Sequence, residues 1–239
     1  MRLLSLDTST EILSAALVEY ADGGDRRVYC VERSVDAGLG HARRAMPLVA
    51  GLLEEAEWEL KRLNAIVVGA GPGSFTGLRI AYATVKGLSA GSTVPNLAVS
   101  SLEAFAAPHR CHPGIVLTAV DARKSRYYST MLHYGRRISP DLDLSAGELA
   151  ATARATAREH RFEAPILLTA PGAGQLYAEL GGPSDFCLAG DWRRPPAAAL
   201  AQLALGCVRR GEFDSPESGP IYVRKSEAEI GIIAKKKRR

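Results

Sequence analysis

Apolar positions along the chain recur with two periods, and the switches between them mark the elements. Leu3 to Leu6 is a short apolar run closed by the polar turn Asp7-Thr8-Ser9-Thr10, which predicts a first strand. Ser14 to Val18 and Val28 to Arg33 predict two more, separated by an Asp-Gly-Gly-Asp turn at 22–25. Helical spacing follows: Ala42, Ala45, Val49, Leu52, Leu53 and Ala56 recur at three and four residues, which predicts a helix over 42–60. Ala65 to Val68 reads as a buried strand and 69–77 as a Gly/Pro-rich loop. A second helix over 77–90 then carries the stripe Leu78, Ala81, Val85 and Leu88. Val94 to Val99 closes the set as a strand, and Ser100 or Ser101 can cap a short helix through Phe105.

The same order then restarts. Gly114 to Val120 is a strong strand ending at Asp121, with Tyr127 to Leu132 and Arg136 to Ile138 as its hairpin partners. Ser145 followed by Glu148 is a capping-box signature for the next helix. Ile166 to Thr169, a Gly172/Gly174 turn, a short helix at 176–180 and Phe186 to Leu188 complete a shortened second copy. A final Ala/Leu-rich helix is predicted over 196–210, with proline in its first turn. Two openings by an apolar strand ending in aspartate, at Asp7 and Asp121, predict two related α/β domains facing a cleft. The expected division is 1–110 and 111–223, with a basic tail at 224–239. Helix 196–210 is free on sequence grounds to pack back on the first domain.

Composition changes this picture little. The chain has 239 residues, 46% hydrophobic and 23% charged, as in an ordinary globular protein. No apolar run reaches membrane-spanning length, and the N-terminal apolar stretch breaks at Asp7, so a strand is expected there rather than a secretion signal. The formal charge of +4 is a property of the tail: Lys235 to Arg239 carry five positive side chains, leaving −1 for the rest. Such a tail is either a solvated end or a contact for RNA phosphates. Four scattered cysteines form no Cys-x-x-Cys pair, so free thiols in a reducing, cytoplasmic setting are expected. His109, Cys111 and His112 lie in a proline-containing turn with no fourth ligand nearby, and no metal site is expected.

The segment AGPGSFTGLRI, 70–80, is the most specific. Gly71, Gly73 and Gly77 permit close backbone approach, Pro72 stiffens the turn, and Ser74 or Thr76 can cap the helix carrying Arg79. It is neither a Walker loop, since no lysine follows at the required spacing, nor a dinucleotide fingerprint, since the third glycine is misplaced. Together with LSLDTST (4–10), HARR (41–44), VDARKSRYY (120–128) and IYVRKSEAE (221–229), this segment resembles the TsaB family, also called YeaZ, over nearly the full chain.

The resemblance implies a duplicated fold of the actin/Hsp70/sugar-kinase type (ASKHA, ribonuclease H-like). It implies a non-catalytic scaffold role in forming N6-threonylcarbamoyladenosine in tRNAs reading codons that begin with adenine. The implied partners are a catalytic TsaD-like subunit, a TsaE-like ATPase, tRNA through the complex, and a second copy when the partner is missing. ATP or ADP would enter at the complex, with none bound tightly here.

Residue by residue, Asp7, Thr8, Ser9, Asp121, Arg123, Gly172 and Gly174 are the nucleotide-facing candidates. Both aspartate turns lack the glycines that bring amides to a phosphate, and Asp7 is expected to accept hydrogen bonds from its own turn. The catalytic relatives hold metal with two histidines on the first long helix. Here His41 is followed by Arg43, Arg44 and Ala45, so no metal and no catalytic residue is expected. Apolar surplus on the first two helices instead predicts a partner interface at His41, Arg44, Ala45, Leu48, Leu52, Leu78, Ala81, Tyr82 and Val85. The alternatives are an independent ATP-binding phosphotransferase or hydrolase of the same fold class, or an RNA-binding protein acting through its tail. A peptidase is disfavoured because no histidine is placed to serve Ser74 or Thr76.

Overall fold

The computed structural model describes residues 1–224 apart from 192, 194, 195 and 216; the basic run from Lys235 lies outside the described residues. The first half opens with strands β1 (Arg2–Asp7), β2 (Ile12–Tyr20) and β3 (Arg27–Asp36), then helix α1 (His41–Glu55). Strand β4 (Ala65–Gly69), helix α2 (Phe75–Ser92), strand β5 (Asn96–Val99) and helix α3 (Ser101–Ala106) follow. The sheet order is β3-β2-β1-β4-β5, with an antiparallel meander on one side of β1 and parallel strands on the other.

The second half contains β6 (Val116–Thr118), β7 (Val120–Asp121), β8 (Arg126–Ser129), β9 (Met131–His133), β10 (Arg136–Arg137) and β11 (Leu142–Ser145). Helix α4 (Ala146–Glu159), β12 (Ile166–Thr169), α5 (Ala173–Glu179), β13 (Phe186–Leu188) and α6 (Ala197–Arg210) complete it. Its main sheet, β10-β9-β6-β12-β13, repeats the first: an antiparallel meander, a central first strand, then two parallel strands. The two pseudo-symmetric α/β halves have the ASKHA-like arrangement and flank a cleft.

Three local outcomes differ from the pattern in the sequence. Helix α1 stops at Glu55, short of residue 60, because Glu57 turns left-handed (φ 53°) and the Trp58 amide bonds back to Leu53 O, placing the indole 5.2 Å from the Tyr29 ring. Helix α2 begins at Phe75, two residues early, since Ser74 Oγ accepts the Gly77 amide. The two strands predicted over 114–120 and 127–132 each break in two. At the break the Thr118 hydroxyl accepts the Thr130 amide at 3.0 Å and donates to its carbonyl, and the hairpin tip twists away to pair with β11 as a separate sheet. Strand β11 alternates as Leu142-Asp143-Leu144-Ser145 but is only four residues long, and it is absent from the expected strands.

Three principal cores stabilise the two halves. One lies between the first sheet and α1 with α2, built on Leu4, Leu6, Leu17, Val49, Leu52 and Val85. On the opposite face, Leu200, Ala201, Ala204 and Val208 of α6 pack over Leu3, Ala16 and Val67, so the last helix covers the first sheet although it follows the second. The third joins Leu117, Leu168, Leu149 and Leu176 of the second half. Helix α3 links the halves, with Leu102 and Phe105 against Val120 and Ala170.

Candidate functional site: the inter-domain cleft

A cleft of about 950 Å³ opens between the halves. From the first half it is lined by the β1–β2 turn (Ser9, Thr10, Glu11), by Gly38, Leu39 and His41 at the start of α1, and by the glycine loop with Arg79. The second half contributes Asp121, Arg123, Lys124, Tyr128, Gly172 and Gln175, and residues 221–224 run along the mouth.

Asp7 and Thr8 do not reach this space. Both are fully buried under its wall. Asp7 Oδ1 accepts the Ser9 amide at 2.9 Å and the Ser9 hydroxyl at 2.7 Å, while Oδ2 accepts the Ser101 hydroxyl at 2.6 Å. Burial pushes the Asp7 carboxyl above its ordinary value, and the hydrogen bonds from Ser101 and Ser9 only partly oppose this. Gly69 leaves the room for that carboxylate: a Cβ there would sit 1.9 Å from Oδ2. The Ser101 hydroxyl also accepts the Gly71 amide, so one side chain ties the first strand to the glycine loop. Ser100, meanwhile, caps α3 by accepting the Glu103 amide.

The glycine loop is clamped onto the same turn. Ser74 N donates to Ser9 O at 2.7 Å and Thr8 Oγ1 donates to Gly77 O at 2.6 Å. A Cβ on Gly73 would lie 2.1 Å from Ser9 O, and one on Gly77 2.0 Å from Thr8 O, so both glycines are required by steric contact. Gly71 has φ 88° and precedes a cis bond to Pro72. Thr76 is exposed in the first turn of α2, and the Arg79 guanidinium lies 3.9 Å over the Phe75 ring while Nε donates to the Tyr222 hydroxyl.

Of the remaining nucleotide-facing candidates, Ser9, Asp121, Arg123 and Gly172 line the cleft and Gly174 sits within α5 without lining it. Asp121 Oδ1 accepts the Arg123 amide at 2.7 Å, and Arg123, Lys124 and Ser125 all take positive φ. Gly172 is needed for its own chain, since its Cβ would meet Ala119 O at 2.8 Å. A polyphosphate cradle therefore does not fit these residues well: the first aspartate is sealed and engaged, and neither turn has a glycine. His41 is the exception in the wall. It is 96% buried, lines the cleft, and its Nε2 has no hydrogen-bond partner among the described residues.

The expected partner-facing residues also divide. His41, Ala45, Leu52, Leu78, Ala81, Tyr82 and Val85 are buried within the chain's own fold, most of them in the core beneath α1 and α2; Leu48 is half-buried and Arg44 exposed. These helices spend their apolar stripes on their own sheet. What they leave outside is a different pair of stripes: Ala42, Met46 and Ala50 on α1, and Ala83, Gly87 and Ala90 on α2, with Met46 47% exposed.

Sequence reasoning missed the residues that close the cleft. Ile221 N donates to Ala70 O, and the Tyr222 ring packs 4.9 Å from Phe75. Arg224 grips Asp143 through Nε at 2.8 Å and Nη2 at 2.7 Å and donates to Ala122 O. Burial alone would raise the Asp143 carboxyl, but hydrogen bonds from Arg224 and Arg126 outweigh it and hold it below the ordinary range. The IYVR run was the signal available for this contact. Among the described residues no helix is long and apolar enough to cross a membrane, and no group of three or more His, Cys, Asp or Glu side chains is placed to hold a metal.

Comparison with known proteins gives a consistent answer. A family profile described as "TsaD: tRNA N6-adenosine threonylcarbamoyltransferase" matches residues 35–167. The Bacillus subtilis tRNA threonylcarbamoyladenosine biosynthesis protein TsaB is 35% identical over 134 residues, 56% of each chain. Indeed, the chain spans about half the length of the curated relatives it matches first. Two solved structures cover far more. One is YeaZ from Pseudomonas aeruginosa (32% identity, TM-score 0.73), the other a protein from that organism described as similar to peptidase YeaZ (30%, TM-score 0.75). Each alignment covers 93% of this chain and 99% of the other. With the duplicated sheets, the clamped glycine loop and near-complete superposition on the YeaZ structures all in agreement, the chain belongs to the TsaB/YeaZ family, a branch related to TsaD.

Proposed function

We propose that this chain is a non-catalytic subunit that pairs with a TsaD-like transferase and activates it in forming N6-threonylcarbamoyladenosine in tRNA. The Bacillus subtilis relative and the matching family profile carry that modification in their names. The observation that carries the reading is the outer face of α1 and α2. Ala42, Met46 and Ala50 recur every four residues beside Ala83, Gly87 and Ala90, leaving two adjacent helices smooth enough for another pair to approach closely around one projecting thioether. Arg44 and Leu48 border that face.

The remaining partners follow on the same reading: a TsaE-like ATPase, tRNA held by the complex, and a second copy of this chain on the same face when the transferase is missing, all in the cytoplasm. ATP or ADP belongs to the assembly rather than to tight binding here, since Asp7 is committed to Ser9 and Ser101 and neither aspartate turn has a phosphate-cradling glycine. The same commitment weighs against an independent phosphotransferase. Ser74, the peptidase nucleophile candidate, serves as a helix cap.

Met46→Glu tests the proposal. A charge at the centre of a closely packed helix face is expected to weaken co-purification with the transferase at least about 100-fold and to abolish tRNA modification in the reconstituted system, with an unchanged melting temperature. Undiminished association and modification would refute it.

A further inference from the structure

A second aromatic and basic surface lies away from both the cleft and the α1/α2 face. His160, at the end of α4, stacks on Phe162 with ring centroids 5.3 Å apart and planes 9° apart. Phe162 stacks on His133 at 4.0 Å, and His133 meets Tyr134 edge-on at 4.4 Å. Four rings thus form a continuous ladder whose two ends are open: His160 is exposed, and Tyr134 is 58% exposed in the turn between β9 and β10. A tyrosine this exposed does not contribute much to the core.

Cations surround the ladder. Arg136 pairs directly with His133 across β9 and β10, and Arg110 lies against the same turn, its Cβ 3.2 Å from where a Gly135 Cβ would stand. Arg158 and Arg161 flank His160 in the chain. All four arginines are exposed, and among the described residues none makes an ion pair. Glu159 and Glu163 are the carboxylates interleaved with them, so the patch stays net positive. Beside Tyr134 a cavity of about 450 Å³ opens, walled by Leu203 and Arg110, with Gln202, Glu103 and the Asp25–Arg209 ion pair presenting polar groups. That is the size range of a pocket for one small ligand.

From this juxtaposition of ring ladder, unpaired arginines and side cavity we infer that the second domain carries a binding surface for unstacked nucleotides of single-stranded RNA. Exposed ring faces bind bases whatever their sequence, and arginines beside them take the phosphates. An acidic peptide would use the arginines but leave the rings unfilled, and a duplex keeps its bases stacked out of reach. The inference rests on the proposed role in tRNA modification and deepens it: the non-catalytic subunit touches the RNA directly instead of only bracing the transferase.

The test is fluorescence anisotropy of the full chain with a labelled ten-nucleotide oligouridylate and with unmodified tRNA. Tyr134→Ala is expected to weaken binding about 10-fold, with Tyr134→Phe restoring it. The double change Arg110→Glu and Arg136→Glu should lower the slope of log affinity against log salt by about 0.7 for each phosphate that the protein ceases to neutralise. All three should melt like the parent and still co-purify with the transferase, so failure here is separable from failure of the pairing reading. The inference is overturned if these variants bind RNA like the parent. It is equally overturned if binding vanishes only on neutralising Lys235, Lys236 and Lys237, or if a blunt RNA duplex binds more tightly than the single strand.

Discussion

Asp7 occupies a position where ionised carboxylates are costly, and three donors are gathered to make it tolerable. Two come from Ser9, two residues on, and one from Ser101, which is 94 residues away. Removing that last donor in Ser101→Ala leaves Asp7 Oδ2 and the Gly71 amide without their partner and should cost about 2–3 kcal/mol, read from the urea midpoint. The pH dependence has a definite sign. Because the folded carboxyl titrates above the ordinary 3.8, the unfolded chain ionises first, and stability falls as pH rises from there through the folded value. Asp7→Asn should flatten that descent; a parent chain with no descent to flatten would show that burial does not govern the group. The local half of this arrangement was legible in the sequence, since an aspartate followed by Thr-Ser-Thr is a turn that bonds to itself. The Ser101 half was not, because adjacent serines at 100 and 101 look interchangeable until one caps α3 and frees the other.

At the scale of elements, the glycine loop acts as a positioning device through close contact more than through unusual backbone angles. Gly73 and Gly77 press directly on the carbonyls of Ser9 and Thr8, and the helix that starts between them supplies half of the proposed docking face. Gly73→Val must push the loop off the β1–β2 turn, which should cost more than about 2 kcal/mol and, by moving the start of α2, reduce capture of the transferase. Gly147→Ala is the matched control: its Cβ meets nothing within 4 Å, and the same measurements should find it neutral or slightly more stable. Equal behaviour of the two variants would remove the positioning role. The motif and its two flanking elements could be read from spacing alone, as could the repeated strand order. What spacing could not tell was which side of α1 and α2 remains outside. Leu52, Leu78 and Val85 make the stronger stripes, and a single-layer reading gives them to a partner, whereas the sheet beneath claims them first. The weaker alanine and glycine stripes, with Met46, are what is left. Likewise the breaks at Thr118 and Thr130 depend on a hydroxyl replacing a ladder bond, an event with no periodic signature.

For the molecule as a whole, the two halves meet through α3 and are strapped together by the segment after α6. That segment leaves α6 on the first sheet, bonds Asp214 N to Asn96 O and Ile221 N to Ala70 O, then crosses to Asp143 in the second half through Arg224. Among the described residues the crossing to the second half is made by this bidentate ion pair, braced by Arg126, and by the bond from Arg224 to Ala122 O. Asp143→Asn keeps the shape and removes the charge. It should cost the strap about 1.5–3 kcal/mol of closure and speed hydrogen exchange at Ile221 and Tyr222 roughly 10-fold or more. Since the Asp143 carboxyl titrates below its ordinary 3.8, its contribution is fully present above that value and is lost as pH falls through the folded one. Parent and variant exchange should therefore differ at neutral pH and converge, after correction for intrinsic rates, only in strong acid. Identical exchange at neutral pH would mean that the contacts of Tyr222 with Phe75 and Arg79 hold the strap unaided, and that the two halves are kept in register by packing alone.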